Sequence, residues 1–175
     1  MEDDKEWLTD TLPEQQENRE IERKFLVPAQ PDLISAKSNK INQGYLAISE
    51  DGAEVRIRRK GDRYFETVKT AGKLSRGEFE IEISREQFEC LWPATTGKRL
   101  NKQRYELHYR GHTIELDLYQ GTLKGLMVAE IEFTTEQESE KFTPVHWFGR
   151  EVTNDPAYKN QNLARYGHPP ETETD

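Results

Sequence analysis

The feature that most constrains the fold is a repeated alternation of charged and apolar residues in short segments separated by turn residues. In Glu78–Ser84 the glutamates occupy every second position, and phenylalanine or isoleucine lies between them. Because the side chains of a β-strand point alternately to opposite faces of a sheet, this pattern predicts a strand with one charged and one apolar face. Turn signals such as Asp51-Gly52 and Gly61-Asp62 lie between neighbouring segments. Short turns of this kind favour an antiparallel sheet.

Eight segments are predicted as strands, and three short helices accompany them. The strands are Glu20–Val27, Ile41–Ser49, Glu54–Lys60, Tyr64–Thr70, Glu78–Ser84, Lys102–Tyr109, Thr113–Tyr119 and Leu126–Phe133. Ser84 begins a helix that stops at Pro93, Thr135 begins a second, and Asp155 before Pro156 begins a third. Small polar residues at the N-cap and proline at the first helical position are typical of helix starts. The fold class is therefore mainly β (α+β), and the strands could close into an eight-stranded antiparallel barrel.

Composition excludes several classes of protein. Only 33% of the 175 residues are apolar, 33% are charged, and the net charge is -8. An acidic chain lacks the basic excess of a nucleic-acid-binding surface, so we expect no nucleic-acid partner. The single Cys90 excludes a disulfide framework, and no apolar run approaches membrane-spanning length. We therefore expect a cytoplasmic protein with no membrane partner.

The length corresponds to one domain with a tail at each end. Residues 1–17 are acidic and rich in glutamine, and they have no periodic apolar face. Such a composition is typical of a flexible tail, and we expect its deletion to leave melting temperature and turnover almost unchanged. The predicted domain covers residues 18–166, and residues 167–175 form a second flexible tail.

Charges on the predicted strands occur in blocks of one sign. The basic blocks are Arg56, Arg58, Lys69, Lys102 and Arg104, and the acidic blocks are Glu20, Glu22, Glu78, Glu80, Glu82, Glu115, Asp117, Glu130 and Glu132. An ordinary solvated sheet face is one interpretation. The scarcity of uncharged polar residues favours another, in which the charged face points inward and encloses a tunnel with an acidic zone for a divalent metal and a basic zone for phosphate. The outward apolar faces would then be covered by helices, by the tails or by a second subunit, which allows a homodimer.

Several motifs resemble those of the triphosphate tunnel metalloenzymes, also called the CYTH superfamily. Glu20-Ile21-Glu22-Arg23-Lys24 matches the ExExK signature of that family. The later matches, in the family's order, are Arg56-Ile57-Arg58, Thr67-Val68-Lys69, Leu74-Ser75-Arg76-Gly77-Glu78-Phe79-Glu80-Ile81, Lys102-Gln103-Arg104-Tyr105, Glu115-Leu116-Asp117, Glu130-Ile131-Glu132-Phe133 and Glu151-Val152-Thr153-Asn154-Asp155-Pro156-Ala157-Tyr158-Lys159-Asn160. A single ExExK is weak, whereas this ordered set covers residues 19 to about 165 and is specific.

The resemblance implies a tunnel that hydrolyses or rearranges a triphosphate with Mg²⁺ or Mn²⁺. It places the metal ligands among Glu20, Glu22, Glu115, Asp117, Glu130 and Glu132. The implied phosphate-binding residues are Lys24, Arg56, Arg58, Lys69, Arg76, Lys102, Arg104 and Lys159, and the implied catalytic residues are Glu20, Glu22, Lys24, Glu78, Glu80 and Asp117. Oxygen ligands suit these hard cations, and arginine matches the geometry of phosphate oxygens.

Two positions keep an alternative. Lys102 either lines the tunnel wall or merely flanks Arg104. The C-terminal helix is expected to plug one end of the tunnel with Lys159 directed inward, and a lysine on an outer covering helix is the alternative. Tyr45, Trp92 and Trp147 are interpreted as packing residues, and Cys90 as a small core residue.

Three functions fit the motifs. The first is hydrolysis of inorganic tripolyphosphate to pyrophosphate and phosphate, the second is a class IV adenylate cyclase or another organic triphosphatase, and the third is a sensor that binds polyphosphate or nucleotides without turnover. The intact carboxylates argue against the sensor, because anion binding alone does not require acids beside the cations. No cluster of aromatic or amide residues for a nucleobase is evident, which favours the inorganic substrate.

Overall fold

The computed structural model describes residues 19–34, 36–71 and 75–170. Within these ranges the strands are β1 (Arg19–Leu26), β2 (Lys37–Ile48), β3 (Glu54–Lys60), β4 (Arg63–Lys69), β5 (Ser75–Ile83), β6 (Arg99–Tyr109), β7 (His112–Tyr119) and β8 (Met127–Phe133). The helices are α1 (Arg85–Leu91), α2 (Glu136–Lys141) and α3 (Asn160–Tyr166), with short 3-10 helices at Trp92–Thr95, Gly121–Leu123 and Pro156–Tyr158. The predicted N-terminal tail, residues 171–175 of the C-terminal tail and the side chain of Arg76 lie outside the described part of the chain.

All strand pairs are antiparallel, in the order β1-β5-β4-β3-β2-β6-β7-β8. Strands β2 to β5 form one meander and β6 to β8 form another, and β6 lies beside β2. Strand β1 pairs with β8 along most of its length and with β5 through residues 19–21. The predicted mainly β fold with eight antiparallel strands and few helices is confirmed.

The pairing register brings the charged positions of neighbouring strands together. Glu22 lies opposite Glu132, and Lys69 lies opposite Glu78. Strand β2 begins at Lys37, earlier than the predicted Ile41, because its polar first residues pair with the second half of β6. Alternation alone could not reveal that extension, since the segment has no apolar positions to mark its period.

Two apolar clusters cover most of the opposite face of the sheet. Ile21, Phe25 and Ile131 belong to a cluster that α2 and the following segment cover with Phe142 and Phe148. On β3 to β5, a second cluster contains Ile57, Ile83, Phe88 of α1 and the partly buried Trp92. The capping box of α1, in which Ser84 accepts a hydrogen bond from Gln87 N, fixes the start of that helix. These contacts confirm the predicted outward apolar faces and the packing role of Trp92.

Some residues on the outer surface differ from expectation. Val68, Phe79 and Ile81 stay exposed on β4 and β5 within the described structure. Cys90 is exposed as well, so its prediction as a small core residue was wrong. Helix α1 has only seven residues and buries Phe88 alone, and Cys90 therefore lies on its solvent side.

The C-terminal segment returns to β1 before α3 begins. Asp155 caps the 3-10 helix at Pro156–Tyr158 by accepting a hydrogen bond from Ala157 N. Lys159 then stands at the N-cap of α3, so it precedes that helix and the prediction that the helix carries it was wrong. Leu163 of α3 is buried with Leu100, Tyr119 and Val128, which places α3 against one end of the strands.

A close backbone approach links β2 to the segment after α1. A Cβ atom on Gly44 would lie 2.6 Å from both Cβ and Oγ1 of Thr95. Thr95 is fully buried, and its hydroxyl donates a hydrogen bond to the Trp92 carbonyl. Only glycine fits this crossing without displacing its neighbours.

Across the described residues, no helix is long and apolar enough to cross a lipid bilayer.

Candidate active site

The charged faces of the strands surround one cavity. Its lining includes thirteen of the predicted residues, namely Glu20, Glu22, Lys24, Arg56, Arg58, Lys69, Glu78, Lys102, Arg104, Glu115, Glu130, Glu132 and Lys159. Strand alternation predicted this convergence, because the residues occupy every second position of their strands. Two further predicted residues, Glu80 and Asp117, are described but lie outside the lining. The inward interpretation therefore accounts for the cavity better than a solvated face does.

Glu132 is the centre of the acidic side of the cavity. Its pKa is raised to about 7 by burial and by the negative charges of the nearby carboxylates, of which Glu115 and Glu20 contribute most. Glu22 lies directly across the β1–β8 pairing from Glu132. The negative charges of these carboxylates repel one another, and a bound cation would relieve the repulsion.

Two lysines neutralise part of the acidic side. Lys24 Nζ lies 3.0 Å from both Glu22 Oε1 and Glu130 Oε1. Burial opposes its charge, but these two carboxylates outweigh burial and raise the pKa of Lys24. Lys69 Nζ contacts Glu20 Oε1 at 2.6 Å and Glu78 Oε2 at 3.1 Å. Both side-chain nitrogens therefore lie between two carboxylates.

The arginines of β3 have donors without protein partners. Among the described residues, the buried Nε atoms of Arg56 and Arg58 have no hydrogen-bond partner. Arg56 Nη2 reaches Glu78 at 3.4 Å, and Arg58 Nη2 bonds to Glu80 at 2.9 Å. Burial and the neighbouring Arg56 lower the pKa of Arg58, since two cations lie side by side. Two positive side chains therefore lie side by side, and each has a buried N–H donor without an acceptor. A bound anion would supply both the acceptor and the opposite charge.

Behind the cavity wall, Asp117 holds two cations of β6. It is fully buried and accepts hydrogen bonds from Lys102 Nζ and from Nε and Nη2 of Arg104. Arg104 also donates to Glu115 and, at 2.9 Å, to Glu130. Burial and the adjacent Arg104 lower the pKa of Lys102 to about 8, although Asp117 acts in the opposite direction. Lys102 thus lines the wall and does more than flank Arg104.

Sequence reasoning missed a polar group on β2 and β3. Gln43, Tyr45 and Glu54 are buried and line the cavity. Gln43 Nε2 donates a 2.7 Å hydrogen bond to Tyr45 Oη, and burial raises the pKa of the Tyr45 phenol. Tyr45 was predicted as a packing residue, and it is fully buried as predicted, but it also contributes to the cavity. The signal that could have found it is its parity, which it shares with Gln43.

The C-terminal segment supplies the remaining part of the lining. Val152, Thr153, Asp155, Tyr158, Lys159 and Asn160 reach the cavity from this segment. Asn160 Oδ1 accepts a 2.5 Å hydrogen bond from Tyr119 Oη, which ties the start of α3 to β7. Lys159 lines the cavity, which agrees with the predicted inward direction and not with the alternative of a lysine on an outer covering helix. The segment thus lines the cavity beside the end of the strands where α3 packs.

The donor set suits a hard divalent cation in its chemistry. Glu20, Glu22 and Glu132 present carboxylate oxygens to one cavity, and oxygen is the ligand that Mg²⁺ and Mn²⁺ prefer. Within residues 19–34, 36–71 and 75–170, however, no three acidic, histidine or cysteine side chains converge closely enough to hold an ion as they stand. Glu20 and Glu22 are engaged with Lys69 and Lys24 instead. The residue types therefore fit a metal, and binding would require their side chains to rearrange.

Comparisons with known proteins agree with this geometry. A family model described as CYTH domain matches residues 18–165. An inorganic triphosphatase from Nitrosomonas europaea is 48% identical over 146 residues, covering 83% of this chain and 96% of the relative. An inorganic triphosphatase from Acetivibrio thermocellus is 38% identical over 149 residues, covering 84% of this chain and 94% of the relative. A crystal structure of an inorganic triphosphatase matches with a TM-score of 0.65 and 45% identity, covering 83% of this chain and 94% of that one.

Proposed function

Since the chain belongs to the CYTH family, we propose that it is an enzyme that hydrolyses inorganic tripolyphosphate to pyrophosphate and phosphate. Relatives at 48% and 38% identity, aligned over nearly their whole length, are named inorganic triphosphatases. The observation in this chain that carries the proposal is one cavity that combines two kinds of residue: Arg56 and Arg58, whose buried Nε donors have no protein partner, and the mutually repelling carboxylates around Glu132. A bound anion would pair with the arginines, and a bound cation would pair with the carboxylates. A polyphosphate that carries a metal ion supplies the anion and the cation together.

The cations of the cavity would bind the phosphate oxygens. Arg56 and Arg58 offer fork-shaped guanidinium groups, and Lys24 and Lys69 offer compact charges. Arg104 is held in place by Asp117 and would contact the substrate with a fixed orientation. Positioning and neutralisation of charge supply most of the catalysis of phosphoryl transfer.

The carboxylates would hold the metal. We assign Glu20, Glu22 and Glu132 to a divalent cation, Mg²⁺ or Mn²⁺, which when bound would neutralise phosphate charge and activate water. Glu130 and Asp117 accept bonds from Lys24, Lys102 and Arg104, so their first role is to orient those cations. Glu78 and Glu80 are paired with Arg56 and Arg58 and would orient them in the same way.

Hydrolysis requires proton transfer as well as positioning. Attack of water on the terminal phosphorus breaks its bond to the bridging oxygen, so pyrophosphate leaves and phosphate is formed. The attacking water gives up a proton, and negative charge develops on the leaving oxygen. Lys102 lines the cavity and is held by Asp117, so we assign its ammonium group to stabilisation of that charge.

We further propose that residues 18–166 form the catalytic unit and that its sheet encloses a tunnel plugged at one end. Pairing of β1 with both β5 and β8 supports a closed sheet. The apolar contacts of Leu163 with Leu100 and Val128 support a plug formed by α3. A plugged end would leave room for a short inorganic anion and none there for a nucleoside.

Substrate specificity tests the proposal. Phosphate release is followed with tripolyphosphate, ATP and thiamine triphosphate, each with Mg²⁺ and with Mn²⁺. We expect tripolyphosphate to exceed ATP by at least about tenfold in kcat/KM, because a nucleoside adds steric and desolvation cost without new contacts. Arg58→Lys, which loses the fork geometry, should raise KM, whereas Arg165→Lys on α3 serves as the matched control. Equal efficiency with ATP, or formation of cyclic AMP, would contradict the proposal.

A further inference from the structure

The C-terminal segment pairs with the part of the β1 edge that does not pair with β5. Strand β5 pairs with β1 only through residues 19–21. Beyond that point, Val152 N donates to the Lys24 carbonyl at 2.8 Å, Leu26 N donates to the Arg150 carbonyl at 2.9 Å, and Gly149 N donates to the Leu26 carbonyl at 2.7 Å. Residues 149–153, which we call the strap, therefore serve as the neighbour of β1 at the cavity.

Arg23 fastens the strap from the outer face of the sheet. Its Nε and Nη2 donate to the two carboxylate oxygens of Glu151 at 2.9 and 2.7 Å. Its Nη1 donates to the carbonyls of Ser139 and Phe142 at the end of α2, at 2.9 and 3.1 Å. The guanidinium also lies 5.1 Å from the centre of the Phe25 ring. One side chain thus joins β1, α2 and the strap, and a two-pronged contact of this kind fixes geometry as well as energy.

Thr153 connects the Arg23–Glu151 ion pair on the outer face to Lys24, whose side chain lines the cavity. The Thr153 hydroxyl donates to Glu151 Oε1 at 2.7 Å and accepts from Lys24 N at 3.0 Å. Lys24 thus has both its backbone N–H and its carbonyl bonded to the strap, while its ammonium lies among the cavity carboxylates. The series Arg23–Glu151–Thr153–Lys24 crosses from the outer face of the sheet to the inner face.

We propose that Arg23, Glu151 and Thr153 are positioning residues for triphosphate binding. They fix the backbone of Lys24, and they hold the segment that brings Asp155, Tyr158 and Lys159 to the cavity. Arg23 and Glu151 lie outside the cavity lining of the described structure, so they act through Lys24 and the strap. The inference rests on the proposed function, because its readout is the binding and hydrolysis of tripolyphosphate.

The test compares Thr153→Val with Thr153→Ser. Valine keeps the shape but removes the hydroxyl that bonds to both Lys24 and Glu151, whereas serine keeps it. We expect Thr153→Val to raise KM and the Kd for tripolyphosphate about tenfold, because the substitution removes a hydrogen bond and leaves its partners without a replacement. The kcat should change less than about twofold. Thr153→Ser should restore both values. KM and kcat come from phosphate release at 25 °C, and Kd comes from calorimetry.

Arg23→Lys separates positioning from direct contact between Thr153 and substrate. Lysine cannot span Glu151 and the α2 carbonyls together, so KM should rise although residue 23 points away from the cavity. Arg99→Lys is the matched control, because Arg99 also bonds to a carbonyl and a hydroxyl, those of Trp92 and Thr95, but at the start of β6, which is not a neighbour of β1. Melting temperatures of all variants report any general loss of stability.

Each outcome decides the matter. An unchanged KM in Thr153→Val and Arg23→Lys, failure of serine to restore binding, or an equal rise in Arg99→Lys would overturn the inference. If Thr153→Val does not fold, Arg23→Lys and Glu151→Gln provide the same comparison. A wild-type protein that neither hydrolyses nor binds tripolyphosphate would refute the proposed function instead, so the two failures are distinguishable.

Discussion

Replacing Glu132 with glutamine should stabilise the metal-free protein and abolish its hydrolytic activity. The pKa of Glu132 is raised from 4.5 to about 7 by burial and by the surrounding carboxylates. The folded protein therefore binds this proton more tightly than the unfolded chain does. The stabilising effect of the protonated form is complete below pH 4.5 and is lost as the pH rises through about 7. Glutamine is neutral at every pH and avoids that loss.

The magnitude follows from the same numbers. A rise in pKa from 4.5 to about 7 corresponds to a ceiling of about 3 kcal/mol. Burial of Glu132 is only partial, because the residue keeps contact with solvent, so solvent screens much of the repulsion and we expect about 1 kcal/mol. For a domain of this size, that free energy corresponds to a rise in Tm of about 2–4 °C.

Thermal unfolding with a chelator present measures the effect. The difference in Tm between Glu132→Gln and wild type should be largest near about pH 8 and should vanish below pH 4.5, where Glu132 is protonated in the folded and the unfolded chain alike. Glu140→Gln on the exposed surface of α2 is the control, and its Tm is compared with that of wild type at the same pH values. Equal Tm values at both pH values, or a less stable Glu132→Gln variant, would refute the reasoning. Retained metal-dependent turnover in that variant would remove Glu132 from the proposed metal site.

Three further predictions test other parts of the site. Glu22→Gln should lower kcat at least about a hundredfold, since a principal electrostatic contact is lost, and near-normal activity at saturating Mg²⁺ would contradict its assignment. Lys159→Ala should raise KM for tripolyphosphate in steady-state assays, because Lys159 lines the cavity; an unchanged KM would mean that it makes no contact with substrate. Gly44→Ala should lower the free energy of unfolding by about 1–3 kcal/mol, measured by denaturant titration, because the added Cβ meets the buried Thr95; an unchanged midpoint would show that the segment yields.

Strand alternation was sufficient to predict most of the cavity. Once the charged face points inward, lining residues of β3, β6 and β8 follow one another at every second position, as the pairs Arg56/Arg58, Lys102/Arg104 and Glu130/Glu132 illustrate. Alternation cannot distinguish an inward face from a solvated one; the scarcity of uncharged polar residues favoured the inward face, and the ordered family motifs supported it. The turn residues predicted the hairpins, since Gly52 and Gly61 have positive φ angles in the structure.

The C-terminal part of the site could not be predicted in the same way. Residues 149–153 have no periodic pattern, and their position depends on hydrogen bonds to β1, more than a hundred residues earlier in the chain. Thr153 and Glu151 therefore gave no local signal of their roles. Lys159 reaches the cavity, but from the N-cap of α3, because the chain leaves the 3-10 helix at Tyr158 and starts a new helix at Asn160.

The most direct test of the central claim is a ³¹P NMR time course of tripolyphosphate with a catalytic amount of the protein and Mg²⁺. We predict that the tripolyphosphate signals disappear while pyrophosphate and phosphate appear in equal amounts, and that a chelator stops the reaction. An unchanged spectrum with a folded protein that still binds tripolyphosphate would contradict the claim and would support a sensor that binds without turnover.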